Sequence, residues 1–414
     1  MKIYGKSLSE VFADMPWAFK VVVFCGALFI IFACYHATVA WRSLKAQAGP
    51  QSTPMIKLTD NAGGEDGMFD PSAVTDGEDV VMSYTTLAQM RNSSEKATSI
   101  RLIKTRAPAC DRWQTVRETS GNGGAVEAGF TAMVDEPLGP DSRTPLGTGT
   151  WRVETSSLVY DPDDKGNEWK LYAYKYLWLD KSAGLPQAEI AKLYSFITYK
   201  HAPDITGPWS PEEWVFAAKP DAPPQPYNTM VQLRLNPLDP SLADVYFYSR
   251  PSVIYHKGVL YMTLSAYLRS RMSADRIILL ASTDHGKNWQ YLGTPLRHDD
   301  VAKLGNYTVL NGGGLIKSED QIYFWIVPGS EKLSAQGAVF MSFDNLAKAV
   351  LKADEKGAPE VLTRLKLKAL APGKVGGGFP AYVPSCDTGI FSSEYSEITK
   401  GFQIFKTGEK LEAN

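Results

Sequence analysis

FDPSAVTDGEDVVMSYT, beginning at Phe69, and SRPSVIYHKGVLYMTLSAY, beginning at Ser249, are two copies of one pattern. Each has a Pro-Ser entry, a short apolar strand, a turn with Gly and a second alternating strand, which together spell a β-hairpin. Pro71 matches Pro251, and Gly77 falls close to the place of Gly258. VETSSLVYDPDDKGNEWKLYAYKYLW repeats the pattern from Val153 with a longer turn, and LNGGGLIKSEDQIYFWIVP repeats it from Leu310 with Gly in place of Ser. A weaker fifth copy, YVPSCDTGIFSSEYSEITKGFQIFKTG, starts at Tyr382 and has an inserted stretch between its strands. The copies recur at intervals of roughly 60 to 90 residues, a blade-like period.

After each first hairpin comes a second strand pair: IRLIKTRAPACDRWQTV, LYSFITYKHAPDITGPW, IILLASTDHGKNWQYLG and the shorter AVFMSFDNL. Two hairpins make one four-stranded blade, so residues 66–414 are predicted to form an all-β, five-bladed β-propeller. No regular run of amphipathic helices alternates with the strands, as a parallel α/β sheet requires. A β-sandwich would accommodate the short strands and turns, but not the repeated Pro-Ser entry.

Across 414 residues, 44% are hydrophobic and 21% charged, which places the chain among globular proteins able to bury a large core. A net charge of −2 gives no footprint for nucleic acid, which calls for clustered Lys and Arg. The 10 Trp and 20 Tyr suit both β-structure and stacking on sugar rings.

The one long apolar stretch, VVVFCGALFIIFACYHATVA from Val21 to Ala40, carries no formal charge and has the length of a membrane-spanning helix. Residues 1–20 are accordingly expected on the cytoplasmic side, 21–41 as a signal anchor and 42–65 as a flexible stalk. The propeller would then lie on the periplasmic or extracellular face of the inner or plasma membrane. A cleaved signal peptide is the competing reading, since Ala46-Gln47-Ala48 has the small-x-small form. Cys25 and Cys34 fall inside the apolar run, leaving Cys110 and Cys386, which in an oxidising compartment could tie the first repeat to the last.

Ser282-Thr283-Asp284-His285-Gly286-Lys287-Asn288-Trp289 has the form S-x-D-x-G-x-x-W and resembles the Asp-box of sialidases and related propellers. Its residues are those of a tight turn, in which a hydroxyl and a carboxylate satisfy backbone donors, so a folding role is expected. Phe69-Asp70-Pro71-Ser72 and Ile205-Thr206-Gly207-Pro208-Trp209 resemble the five-bladed glycoside hydrolases of the arabinanase, xylosidase and fructosidase type, over roughly residues 66–407. That resemblance implies a central funnel into which the innermost strand of each blade points side chains. The strand-entry positions become candidate site positions: Asp70, Thr155 preceded by Glu154, Arg250, Asn311, and the Cys386-Asp387 pair.

The resemblance further implies an Asp of the first blade as base or nucleophile, and Asp70 matches that place. Glycosidic cleavage needs one ionised and one protonated carboxyl across the scissile bond. Glu154 or Asp387 would be the acid, although strand alternation could aim Glu154 away from the funnel. Where the family's third blade offers Glu, this sequence has Arg250, which suits gripping a carboxylate or sulfate, or pairing with Asp70. A sialidase would need an arginine cluster and a Tyr–Glu pair; Glu394 and Tyr395 are neighbours on a strand and face opposite ways.

Gly121 to Gly124 and Gly376 to Gly378 lack a following Lys-Ser/Thr and read as loops. The five His show no metal spacing, and neither a metal nor a cofactor is expected, a calcium ion in the funnel being left open. Two functions follow: a membrane-anchored glycoside hydrolase-like protein acting on an oligo- or polysaccharide, with Asp70 and Glu154 catalytic and Arg250, Asn311, Asp387 and Thr155 binding substrate, or a non-catalytic propeller that binds glycan or scaffolds an envelope complex.

Overall fold

The computed structural model describes residues 56, 67–89, 96–116, 149–179, 194–216, 234–271, 273–331, 335–365, 377–387, 389–396 and 401–408, with short pieces at 2–3, 6–7, 127–129, 133–134, 191–192, 231–232 and 411. The chain divides into two units, residues 1–52 and 53–414. In the first, Lys2–Ile3 pairs with Lys6–Ser7. The expected membrane segment, residues 21–41, lies outside the described residues; among the described ones no helix is long and apolar enough to cross a membrane.

The second unit is a five-bladed β-propeller. Its five antiparallel sheets begin with Phe69–Asp76 (blade I), Gly149–Tyr160 (II), Phe247–His256 (III), Val309–Ser318 (IV) and Phe379–Val383 (V). Each of these first strands contacts the first strand of the next sheet, and that of blade V returns to that of blade I, closing a ring. Blade III has four strands in simple meander order, whereas blade V has three of its own. Backbone N–H groups of Ile56 and Met68 donate to the carbonyls of Ile404 and Phe402 of that last blade, so the start of the propeller borders its end.

Period-two alternation distributes the core. Val80, Met82 and Tyr84 of blade I face blade V, while Val81 faces blade II; Ile278 and Leu280 of blade III face blade II, while Ile277 and Leu279 face blade IV. Five apolar clusters fill the five blade interfaces in this way. Cys110 and Cys386 form a disulfide with Cα atoms 5.7 Å apart, fastening blade I to blade V.

The Pro-Ser entry has a physical reason. In blades I, II and III two inner-strand residues oppose one on the neighbouring strand: Asp70-Pro71 against Tyr84, Thr155-Ser156 against Ala173, and Arg250-Pro251 against Leu264. Each is a β-bulge, and a bulge is where a strand tolerates Pro because no ladder N–H is required. The next residue is Ser in all three, and its hydroxyl accepts a backbone N–H from the following blade. Leu158 donates to Ser72 (3.0 Å), Val253 to Ser157 (2.7 Å) and Leu315 to Ser252 (2.9 Å).

The fifth repeat needs correction. Its Pro384-Ser385 imitates the entry, but lies in the turn after the inner strand, where Ser385 Oγ meets Thr75 Oγ1 at 3.0 Å. The blade V strand therefore enters at Phe379, and the Cys386-Asp387 pair is not an entry position.

Candidate active site

The three bulges set the site. Asp70, Thr155 and Arg250 all adopt left-handed backbone conformations, with φ of 49°, 51° and 56°. Such angles disfavour ordinary side chains, and β-branched Thr most of all. Three residues held this way at equivalent places in consecutive blades re-aim their side chains, a device that recurs next to functional sites. All three line a central cavity of about 390 Å³ bordered by the inner strands of the five blades.

Arg250 crosses the cavity. Its Nη1 lies 3.8 Å from Asp70 Oδ1, an ion pair without a hydrogen bond, and its guanidinium sits 4.4 Å from the centre of the Phe379 ring. Gly312 gives it room, since a Cβ there would come within 2.9 Å of Arg250 Cδ. The Gly run that replaces the Ser entry in blade IV is thus space for neighbours: a Cβ on Gly314 would strike Trp325 and Ser252 Oγ.

Glu154 is half-buried, and the Tyr176 hydroxyl donates to its Oε2 at 3.2 Å. Burial, reinforced by the negative charge of Asp70, pushes its carboxyl up to about 7, against the opposing pull of Arg250, Tyr176 and Arg152. Burial also raises Asp70, and Arg250 pulls it back. Glu154 does not border the cavity, but the charges of Asp70 and Arg250 both reach it. The arrangement offers two raised carboxyls, Glu154 at about 7 and Asp70 beside the Arg250 cation.

The remaining candidates separate. Thr155 is buried, donates its N–H to Thr85 Oγ1 at 3.0 Å and turns a hydroxyl without a hydrogen-bond partner into the cavity wall. Asn311 sits in the one-residue irregularity between Leu310 and Gly312 of blade IV and does not border the cavity. Asp387 is exposed in the turn beyond the blade V strand, where its N–H donates to the Pro108 carbonyl, and is not brought to Asp70. Glu394 is buried in the interior of the blade V strand Gly389–Ser396. Tyr176, Phe379, Arg152 and Gly312 escaped sequence reading because their relevance depends on register and on which strand enters each blade.

The segment resembling an Asp-box closes the turn after Arg276–Ser282. Gly286 N–H donates to Ser282 Oγ (2.9 Å), Asn288 N–H to Asp284 Oδ1 (2.9 Å) and Trp289 Nε1 to the Gly286 carbonyl (3.0 Å). The same indole-to-carbonyl bond recurs in two blades whose sequences lack the motif, Trp113 to Cys110 at 3.0 Å and Trp209 to Ile205 at 3.3 Å.

One set of potential metal ligands, Asp161, Asp164 and His285, has donor atoms within 4.8 Å of one another. The buried Lys170 ammonium stands among them, 3.9 Å from Asp161 Oδ2 and closer still to Asp164, while His285 Nδ1 lies 3.0 Å from Asp161 Oδ2. Those carboxylates already have their cation, so the set does not fit a metal.

No protein-family model matches the chain, and no curated protein matches it. Solved structures do resemble it. A family 117 glycoside hydrolase from the marine bacterium Zobellia galactanivorans is 11% identical with a TM-score of 0.44, covering 86% of this chain and 90% of that one. A family 32 beta-fructofuranosidase of Bombyx mori is 10% identical with a TM-score of 0.46, covering 90% and 66%, and the NanB sialidase of Streptococcus pneumoniae is 9% identical with a TM-score of 0.45, covering 88% and 71%. At such identities and scores the likeness says nothing about chemistry.

Proposed function

We propose that the chain is a glycoside hydrolase-like propeller that acts on an oligo- or polysaccharide, with Asp70 as the ionised carboxylate and Glu154 as the acid. The observation that carries this reading is the Asp70–Arg250 pair in the central cavity with Glu154 within the electrostatic reach of both, its carboxyl raised to about 7. Glu154 would protonate the departing glycosidic oxygen while Asp70 attacks the sugar carbon or activates water. Tyr176 orients the acid, and Arg250 opposes the rise that burial imposes on the Asp70 carboxyl.

Acidic sugars belong among the candidate substrates. With Glu154 protonated, Arg250 and Arg152 outnumber Asp70 around that acid. The extracytoplasmic side, with residues 21–41 as anchor, is the proposed location, and the Cys110–Cys386 disulfide supports an oxidising compartment.

A second reading, a non-catalytic glycan-binding or scaffolding propeller, draws on the Arg250–Asp70 pair, which occupies the carboxylate with a cation. Incubating the full-length chain with neutral and acidic oligosaccharides, beside Asp70→Asn, separates the two. The hydrolase reading expects products from the wild type and a loss of about 10³-fold or more in the variant. Binding without cleavage by both forms would establish the second reading instead.

A further inference from the structure

The inner strand of blade II does not stop at the mouth of the funnel. Residues 149–154 precede its bulge, against Phe69 alone in blade I, 247–249 in blade III and Val309–Leu310 in blade IV. With its partner Trp169–Leu179 this extension forms a wall rising from the site. Tyr174 pairs with Glu154, Tyr176 with Arg152 and Trp178 with Thr150, so the six side chains share one face of the wall. Tyr174 and Tyr176, both buried, stack at 5.4 Å and 21° along this face and support its outer end.

That surface ends on Trp178. Its indole is 39% exposed, although large apolar side chains in this unit are otherwise mostly buried. The Arg152 guanidinium lies 4.2 Å from the centre of the ring, and the same guanidinium acts electrostatically on Glu154. One residue thus links the candidate acid to the outer platform. At about 3.3 Å per residue, Trp178 stands about 13 Å along the strand from the level of Glu154. A single sugar ring held at Asp70 cannot span that distance; a chain of several units can.

We propose that Trp178, backed by Arg152, is a distal sugar-binding platform, and that the ligand of the funnel is an oligosaccharide chain of several units rather than a mono- or disaccharide. The inference rests on the glycan reading of the funnel. A pyranose or furanose ring presents a C–H face that packs on an indole, while the guanidinium covers the other side of the ring and offers donors to sugar hydroxyls or acidic substituents.

The test uses full-length Asp70→Asn protein, so that bound sugar is not consumed, and isothermal calorimetry with disaccharides and hexasaccharides cut from xylan, arabinan, galactan, fructan, polygalacturonate and alginate. In the series that binds, the hexasaccharide is expected to bind about tenfold tighter than the disaccharide. Adding Trp178→Ala should shrink that ratio to under about threefold, and Trp178→Tyr should restore most of it. Equal affinities for the two lengths, or a length preference that survives Trp178→Ala, would overturn the distal platform while leaving the funnel reading intact. No binding in any series would overturn both.

Discussion

Burial raises the carboxyls of both Glu154 and Asp70, and the Arg250 guanidinium opposes the rise in each. Because the carboxyl of Glu154 is raised from 4.5 to about 7, its contribution to stability is fully present below 4.5 and is lost as pH rises through about 7. Glu154→Gln is therefore expected to raise the urea midpoint at pH 8 relative to wild type and to leave it nearly unchanged at pH 4.5; a midpoint shift equal at both pH values would contradict the raised carboxyl. Gly312→Ala probes the cation. Its Cβ would crowd Arg250 at Cδ and Ser265 at Oγ, displacing the guanidinium from Asp70. A loss of about 10²-fold in kcat/KM is expected, with chemical denaturation run alongside to show that the fold survives. Asp70 and Arg250 could be read from the sequence because each precedes a Pro-Ser pair. Glu154 was named only as the neighbour of the Thr155 entry position, since the bulge there falls on Thr155-Ser156, neither of which is Gly or Pro.

The recurring element of this fold is a bulge followed by a serine that reaches the next blade. Removing the Ser252 hydroxyl leaves the Leu315 N–H without its acceptor at a buried strand junction. Ser252→Ala should cost about 1–3 kcal/mol, read as a lowered urea midpoint with an unchanged slope. The same turn-closing indole bond in blades I, II and III shows why only one motif was visible beforehand. Trp113, Trp209 and Trp289 make equivalent bonds, but two of the three turns use proline-containing sequences in place of the Ser, Asp and Gly pattern. Element geometry persists where the residues that build it have changed. Blade V was misplaced by the opposite effect, a Pro384-Ser385 pair that has the right letters in a turn.

For the whole molecule, the ring is closed twice, by the disulfide and by the backbone bonds from Ile56 and Met68 to the last strand. Cys110 and Cys386 are 276 residues apart, so their bond restrains nearly the whole propeller in the unfolded state. Replacing both by Ser should cost about 2–5 kcal/mol, and adding reductant to the wild type should reproduce most of that loss in a urea titration. Blade count and ring order were legible because hairpins recur with a period. The grouping of Asp70, Glu154 and Arg250 around one funnel was expected from the repeats, but their distances were not legible, because these arise from closure of the ring.

A working pair of carboxyls would show itself in the pH profile of glycan cleavage by the full-length chain. The kcat/KM is expected to fall as pH rises through about 7, as Glu154 loses its proton, with activity reduced about 10²–10⁴-fold in Glu154→Gln. A profile flat from pH 5 to 9, or a Glu154→Gln variant as active as wild type, would contradict it.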